Sequence, residues 1–172
     1  MDYIALGYQH PDVRKLCDEV QQIYVERYGS PDETLVDESD FDPPTGLFLV
    51  RYEDGRALAC GGWRKADYPD EPGLSASDAE IKRMYVRPEA RGRGLARAML
   101  AELESRAAAA GQTRMILETG DRQQEAIALY RSCGYVDLPK FGYYRDSPAS
   151  ICMAKPLPGH SPASPASADT KD

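Results

Sequence analysis

The sequence predicts one α/β or α+β domain over residues 1–155, built from alternating strands and helices. Three observations support this fold class. Segments with the apolar periodicity of helices alternate with short apolar runs typical of strands, and Gly and Pro residues punctuate them. The chain of 172 residues is long enough for one domain with a substantial core and short for two. Its composition, 42% hydrophobic and 28% charged, is that of an ordinary globular protein and argues against a disordered chain.

The N-terminal half is predicted to contain a helix followed by a β-hairpin. Residues 12–28 repeat apolar side chains at the i, i+3, i+4 spacing, and a Gly-Ser-Pro-Asp sequence stops the helix. Residues 32–42 form an acidic, irregular connection. A strand over 46–52 then turns at Asp54-Gly55 into a returning strand over 57–63, because an Asp-Gly pair tolerates the positive φ angles of a tight turn.

The C-terminal half is predicted to alternate strands with helices and to end in a disordered tail. Gly111 and Gly134 mark the ends of two helices, where glycine commonly occupies the left-handed position. The tail, residues 156–172, is rich in Pro, Ala and Ser and has too few apolar side chains to build a core. The predicted elements are strands at 80–86, 113–119, 135–137 and 150–154 and helices at 95–110 and 124–133.

Several classes of function are not expected. The four cysteines are widely spaced without a CxxC pair, and there are only two histidines, so neither a metal site nor a histidine-dependent nucleophile is predicted. No apolar run approaches the ~18 residues that span a bilayer. The N-terminus lacks the basic and apolar segments of a signal peptide, so a cytoplasmic location without membrane contact is expected.

The net charge of −7 is unevenly distributed along the chain. Residues 82–97 hold six cations and one acid, a local charge of +5, which leaves −12 for all other residues. A compact basic segment within an acidic protein indicates a local site for a polyanionic ligand. A nucleic-acid surface would instead make most of the domain basic, so no nucleic-acid partner is expected.

The basic segment includes a glycine-rich turn between a predicted strand and a predicted helix. Its sequence is Arg91-Gly92-Arg93-Gly94-Leu95-Ala96. Glycines allow a ligand to approach the backbone, and the free N–H groups at a helix N-terminus bind phosphate well. On glycine spacing alone, an ordinary tight turn with solvated arginines is the more frequent meaning of this pattern.

Two motifs together resemble a known family. The spacing Arg91-x-x-Gly94-x-Ala96 resembles the [Q/R]xxGx[G/A] coenzyme A motif of the GNAT acetyltransferases, and the segment AIALYRSCGY at 126–135 is similar to their A-x-x-L-Y-x-x-x-G-[F/Y] motif. The resemblance covers residues 46–155. It implies the GNAT fold, in which helices flank a mixed central sheet whose parallel strands splay apart at the coenzyme site. It also implies N-acetyltransferase activity, with direct transfer from acetyl-CoA to a primary amine of a small molecule or protein in a ternary complex.

The resemblance further implies roles for individual residues. Tyr130 would protonate the leaving thiolate, and Glu80 would take a proton from the acceptor ammonium, usually through a water molecule. Many members carry Asn at the position of Gln123, so the longer amide would have to reach the same pantetheine carbonyl. The implied coenzyme A contacts are Met84, Tyr85, Val86, Arg91, Gly92, Arg93, Gly94, Leu95, Ala96 and Gln123.

Alternatives to these roles remain open at the level of the sequence. Glu80 also fits an ordinary exposed acid, and Tyr130 fits a core aromatic residue. Tyr28, Trp63 and Tyr144 are candidates for the acceptor pocket, although packing alone explains each of them. A non-catalytic acyl-CoA sensor is the main rival function, and a nucleotide-binding module is disfavoured because no Walker or dinucleotide pattern is present. Both a monomer and a homodimer are compatible with the family.

The acceptor amine is the least determined part of the prediction. The connections at 32–42 and 64–79 are acidic and flank the strands expected to open onto the acceptor side. A negative field there would favour a cationic acceptor such as a polyamine, an aminoglycoside or a protein lysine. Solvated acidic loops explain the same composition equally well.

Overall fold

A seven-stranded sheet flanked by three helices forms the protein, as seen in a computed structural model that describes residues 2–68 and 70–159. No helix in this part of the chain is both long and apolar enough to cross a membrane. In chain order the elements are β1 (Asp2–Ala5), α1 (Pro11–Tyr28), β2 (Gly46–Glu53), β3 (Arg56–Lys65), β4 (Asp78–Val86), α2 (Leu95–Ala109), β5 (Arg114–Gly120), α3 (Gln124–Ser132), β6 (Val136–Leu138) and β7 (Ser150–Pro156).

The strand order is β1-β2-β3-β4-β5-β7-β6, and every neighbouring pair is antiparallel except β4 and β5. These two parallel strands pair only where Asp78–Glu80 lies beside Arg114–Ile116. Beyond Glu80, β4 continues to Val86 without a partner on its β5 side. The sheet is therefore mixed and splayed between its only parallel strands, which confirms the predicted fold class.

A β-bulge bends β4 where it leaves β5. Gly62 on β3 lies opposite Lys82, but Cys60 lies opposite Tyr85, so β4 contains one extra residue at this point. Arg83 within the bulge has a φ of 56°, in the left-handed region. A non-glycine residue there costs roughly 1–2 kcal/mol, so the surrounding structure must hold this conformation in place.

The core has a layer on each face of the sheet. Helix α2 packs Met99, Leu100 and Leu103 against one face. Helix α1 packs Val13 and Leu16 against the other face, together with further buried residues at the i, i+3, i+4 spacing. Because side chains alternate along a strand, neighbouring residues of β2 serve both layers.

The bounds of every strand and helix predicted from the sequence agree with the observed bounds to within two residues at each end. Strand β1 was missed because four residues carry too little pattern to identify a strand. The acidic connection also contains a 3-10 turn, Glu38–Phe41, whose Phe41 is buried against the sheet. At the C-terminus, β7 ends at Pro156 and the buried Leu157 packs into the core, so the ordered domain passes the predicted boundary. Most of the predicted disordered tail, residues 160–172, lies outside the described residues.

Candidate active site

Two adjoining clefts open where β4 and β5 splay apart. The larger cleft has a volume of about 470 Å³ and is bounded by α1, β4, the glycine-rich turn and α3. The smaller cleft has a volume of about 300 Å³ and lies toward the loops that follow α1 and precede β7. The residues that line both clefts, and so form their common wall, are Tyr24, Ile81, Arg83, Glu118, Thr119 and Gln123.

The larger cleft presents backbone polar groups that the sheet does not use. Met84, Tyr85 and Val86 line it in the part of β4 that has no β5 partner. Backbone N–H and C=O groups need hydrogen-bond partners when water is excluded. This edge is therefore suited to a ligand with amide groups of its own, laid along the strand.

The glycine-rich turn directs free amides at the larger cleft. Gly92 and Gly94 have φ angles of 73° and 76°, and a Cβ atom at either would meet nothing within 4 Å, so the conformation and not the space favours glycine. Gly94 caps α2 without a side-chain hydrogen bond to the first turn. Leu95 and Ala96 thus begin the helix with uncapped N–H groups at the positive end of its dipole, an arrangement that binds phosphate.

The arginines of the basic segment are divided between ligand-facing and structural positions. Arg91 and Arg97 line the larger cleft. Arg93 points away instead, and its guanidinium donates two hydrogen bonds to Glu53, at 2.7 and 2.9 Å. Of the predicted coenzyme contacts, Arg93 can therefore contribute only its backbone, and the +5 charge of the segment overstates the charge at the cleft.

Tyr130, on α3, lies in the wall of the larger cleft. Its ring centroid is 5.6 Å from that of Tyr135, and the side chain is largely buried. Burial raises the pKa of the Tyr130 hydroxyl above the value of about 10 that a phenol has in water. The hydroxyl is therefore protonated near neutral pH and can donate a proton to a ligand in the cleft.

Gln123 begins the turn into α3 and lies in the common wall of the two clefts. Its backbone N–H donates to the carbonyl of Gly120 at 3.0 Å, which fixes the turn after β5. Gln123 thus shares the larger cleft with Met84 to Val86 of β4.

Among the described residues, Glu118 is the one carboxylate that lines both clefts, and it was not predicted from the sequence. It lies near the end of β5, half-buried, and its Oε1 accepts a hydrogen bond from the Ser150 hydroxyl at 3.2 Å. Burial raises the pKa of the Glu118 carboxyl to about 7, an effect that the nearby Lys82 partly offsets. A carboxylate with this pKa exchanges a proton readily at neutral pH, which is the property of a general base.

Glu80, to which the resemblance gives the role of base, has no direct access to either cleft. It is 1% exposed and lines neither cleft. Its carboxylate accepts hydrogen bonds from Arg64 Nε at 3.0 Å and the Tyr68 hydroxyl at 3.0 Å, and Lys82 Nζ lies at 2.9 Å. These partners occupy the carboxylate and shield it, so the geometry argues against Glu80 as the base that contacts an acceptor.

Two of the three aromatic candidates for the acceptor pocket line the smaller cleft, and the third does not. Tyr28 and Tyr144 line the smaller cleft, as predicted. Trp63 does not line it, because its side chain is 2% exposed and packs in the main core beside α2. The period-2 alternation of β3 turns Trp63 inward, and Trp63 is therefore removed from the candidate pocket.

Gly120 shapes the smaller cleft by lacking a side chain. A Cβ atom at this position would lie 2.0 Å from the hydroxyl oxygen of Tyr28. That hydroxyl accepts a hydrogen bond from the backbone N–H of Arg122 at 3.2 Å, so the ring is held across the end of β5. The glycine is what permits the ring to lie there.

Gly120→Ala is expected to displace the Tyr28 ring and to raise KM for the acceptor several-fold, roughly the effect of misplacing one pocket contact. Acetyl-CoA binding should change little, because Tyr28 does not line the larger cleft. Steady-state kinetics with each substrate varied in turn would measure this. Gly7→Ala is the control, since a Cβ there meets nothing. Equal increases in both KM values would contradict the assignment of Tyr28 to the acceptor side.

The negative charge of the acidic connections is partly neutralised within the domain. Four of their ten carboxylates form ion pairs with arginines. The pairs are Asp32–Arg83, Asp40–Arg64, Glu71–Arg145 and Asp78–Arg114. The composition of these loops alone therefore overstates the negative field that a cationic acceptor would meet.

Comparisons with known proteins agree with this geometry. The sequence model of the acetyltransferase (GNAT) family matches residues 13–135. An IAA acetyltransferase from Azospirillum brasilense is 37% identical over 145 residues, which span 84% of this chain and 90% of that protein.

Solved structures show the same fold. A crystal structure described as an acyl-CoA N-acyltransferase from Klebsiella pneumoniae superimposes with a TM-score of 0.73 at 30% identity, over 91% of this chain and 97% of the other. The PaiA N-acetyltransferase from Thermoplasma acidophilum, solved in complex with coenzyme A, gives a TM-score of 0.64 at 15% identity, over 91% and 100% of the two chains. At that identity the likeness concerns the fold alone. The family match, the relative and the shared fold together establish that this chain belongs to the GNAT family and is an N-acetyltransferase.

Proposed function

We propose that the protein transfers the acetyl group of acetyl-CoA directly to a primary amine, with the coenzyme in the larger cleft and the amine in the smaller one. The observation that carries this proposal is the common wall, where Glu118 faces both clefts. A base in that position can deprotonate an amine bound on one side for attack on a thioester bound on the other. Direct transfer within a ternary complex requires this arrangement.

The larger cleft fits the chemistry of acetyl-CoA. The backbone edge of Met84 to Val86 that β5 leaves unpaired can bind the amides of the pantetheine arm, apart from the Val86 carbonyl, which accepts a hydrogen bond from Arg91 Nε at 3.0 Å. The uncapped amides at the start of α2 can hold the phosphates, with Arg91 beside them. Arg97 also lines this cleft, and its guanidinium donates to the Ser132 hydroxyl at 2.7 Å and to Cys133 Sγ at 3.1 Å. An apolar wall alone would supply neither kind of contact.

The proton transfers are assigned to two residues. Glu118 accepts a proton from the acceptor ammonium and later releases it to solvent, while the amine nitrogen forms a bond to the thioester carbon. When the C–S bond breaks, the Tyr130 hydroxyl donates its proton to the leaving sulfur. The second proton that the amine nitrogen loses as the amide forms then returns Tyr130 to its neutral form. Glu80 is proposed to act indirectly, as the buried counter-ion that holds Lys82 beside the acceptor cleft.

Acetyl-CoA at one hundred times its Kd is expected to stabilise the protein by about 2.7 kcal/mol, which corresponds to a rise in Tm of roughly 5–10 °C. Gly94→Trp should abolish that rise, because the new side chain enters the phosphate site. Gly111→Trp is the matched control, since Gly111 shares the left-handed φ and open surroundings but follows the other end of α2.

A thiol-release assay with a panel of amines tests catalysis separately from binding. Turnover with at least one amine supports the proposed reaction. Stabilisation by acetyl-CoA without thiol release from any amine would favour the rival function, a non-catalytic acyl-CoA sensor. Persistence of the Tm rise in Gly94→Trp would overturn the assignment of the larger cleft.

A further inference from the structure

The charged side chains that line the smaller cleft belong to two groups of ion pairs, together called the network here, and to Glu118 beside them. Within residues 2–68 and 70–159 they are Asp32, Lys82, Arg83 and Glu118. Arg83 pairs with Asp32. Lys82 pairs with Glu80, Glu80 also pairs with Arg64 at 3.0 Å, and Arg64 pairs with Asp40 at 2.6 Å.

The network is electrically neutral. Its three cations, Arg64, Lys82 and Arg83, are matched by three carboxylates, Asp32, Asp40 and Glu80. Glu118 has no cationic partner within salt-bridge distance among the described residues, and its one hydrogen-bond partner is the hydroxyl of Ser150. The cleft thus carries one uncompensated negative charge when Glu118 is ionised and none when it is protonated.

The net charge of the cleft affects ligand binding strongly because the charged side chains around it are buried. Lys82 and Arg83 are each 7% exposed, and Glu80 is 1% exposed, so water screens the network poorly. A bound ligand with a single positive charge completes the neutrality of the cleft. A dication leaves an excess positive charge, and a zwitterion brings a carboxylate to a site whose cations are already paired.

The uncharged part of the lining combines aromatic and apolar side chains with polar ones. The polar residues are Ser30, Thr119, Gln123, Ser147 and Ser150. The rings of Tyr24, Tyr28 and Tyr144 and the side chain of Ile81 line the cleft. Such surfaces bind a ring or short alkyl body by burial of apolar area and by contact with an aromatic face. A volume of about 300 Å³ accommodates a molecule of one ring with a short side chain.

We propose that the acceptor is a small primary amine with one positive charge and an aromatic or apolar body, and not a polyamine, an aminoglycoside or an amino acid. This inference rests on the proposed function of the two clefts. The positive charge of the acceptor is selected by the single carboxylate of Glu118 and not by the acidic loops. The tyrosines select the body of the acceptor.

Thiol release with acetyl-CoA and three amines tests the charge rule. Phenethylamine carries one positive charge, putrescine carries two, and phenylalanine is a zwitterion with the same ring. The wild-type kcat/KM for phenethylamine is expected to exceed those for putrescine and phenylalanine by about 100-fold. A higher kcat/KM for putrescine or phenylalanine would overturn the proposal.

Two charge variants should shift the preference in opposite directions. Lys82→Met makes the cleft one unit more negative and should raise the putrescine-to-phenethylamine ratio of kcat/KM by about tenfold or more. Asp32→Asn makes it one unit more positive and should raise the phenylalanine-to-phenethylamine ratio by about the same factor. Ratios measured on one variant cancel a general loss of activity or folded fraction.

Lys15→Met and Asp18→Asn are the matched controls, because both residues are exposed on α1 and line neither cleft. Unchanged ratios in both cleft variants, or shifts in the same direction, would overturn the charge rule. Failure of the proposed function looks different, since wild-type protein would then release no thiol with any amine.

Discussion

Glu118→Gln is expected to lower kcat/KM for the acceptor by about 10²- to 10⁴-fold, the usual contribution of a general base, while acetyl-CoA still raises the Tm. The amide keeps the size and the hydrogen bond to Ser150 but cannot accept a proton. Measurement of initial rates at saturating acetyl-CoA would give the size of the loss. Glu125→Gln is the control, because Glu125 is exposed and lines only the larger cleft.

The direction in which kcat/KM changes with pH is a second test of Glu118. Burial raises the pKa of Glu118 to about 7, so the carboxyl is protonated and inactive as a base below that pH and ionised above it. In the wild type, kcat/KM should therefore rise with pH through about 7. The same rise should be absent in Glu118→Gln. A rise that survives in Glu118→Gln and disappears in Glu80→Gln would return the base to Glu80.

Tyr130→Phe is expected to lower kcat by roughly 10²-fold and to leave the affinity for acetyl-CoA nearly unchanged. The ring that fills the wall of the larger cleft is kept, and only the hydroxyl that protonates the leaving sulfur is removed. Single-turnover rates and the acetyl-CoA-induced Tm shift would separate chemistry from binding.

Tyr135→Phe provides the control for that substitution. Tyr135 packs against Tyr130, but its hydroxyl donates to Glu104 at 2.9 Å and the residue does not line the larger cleft. Its loss should affect stability more than turnover. An unchanged kcat in Tyr130→Phe would remove Tyr130 from the mechanism, and an equal fall in both variants would indicate a packing effect.

The parts of the site that could be predicted from the sequence are those with local causes. The turn from Arg91 to Ala96 requires two positive φ angles just before a helix begins. The spacing of the two glycines in the sequence predicts both features. The helix that carries Tyr130 is likewise fixed by its own periodicity and by Gly134. For these residues the local pattern and the tertiary environment agree.

The parts that were missed depend on which strands lie side by side. In the sequence, Glu118 is a single acid within an apolar strand, and nothing nearby distinguishes it. Its pKa is set by burial and by Lys82, which belongs to a different strand. The burial and ion pairing of Glu80 could not be predicted either, because Arg64 approaches it from β3, a contact that the strand register alone decides. The proximity of Lys82 to Glu80 could have been predicted, because residues two apart in a strand lie on the same face of the sheet.

The left-handed Arg83 sets a trade-off for the evolution of this protein. A glycine in the bulge would relieve the backbone, yet it would also remove the cation that neutralises Asp32 at the common wall of the clefts. Because breaking a buried ion pair by removing one partner costs about 3–5 kcal/mol, more than the strain that glycine would relieve, the ion pair decides which residue stands here. A strained backbone is therefore retained by the charge that it places at the cleft.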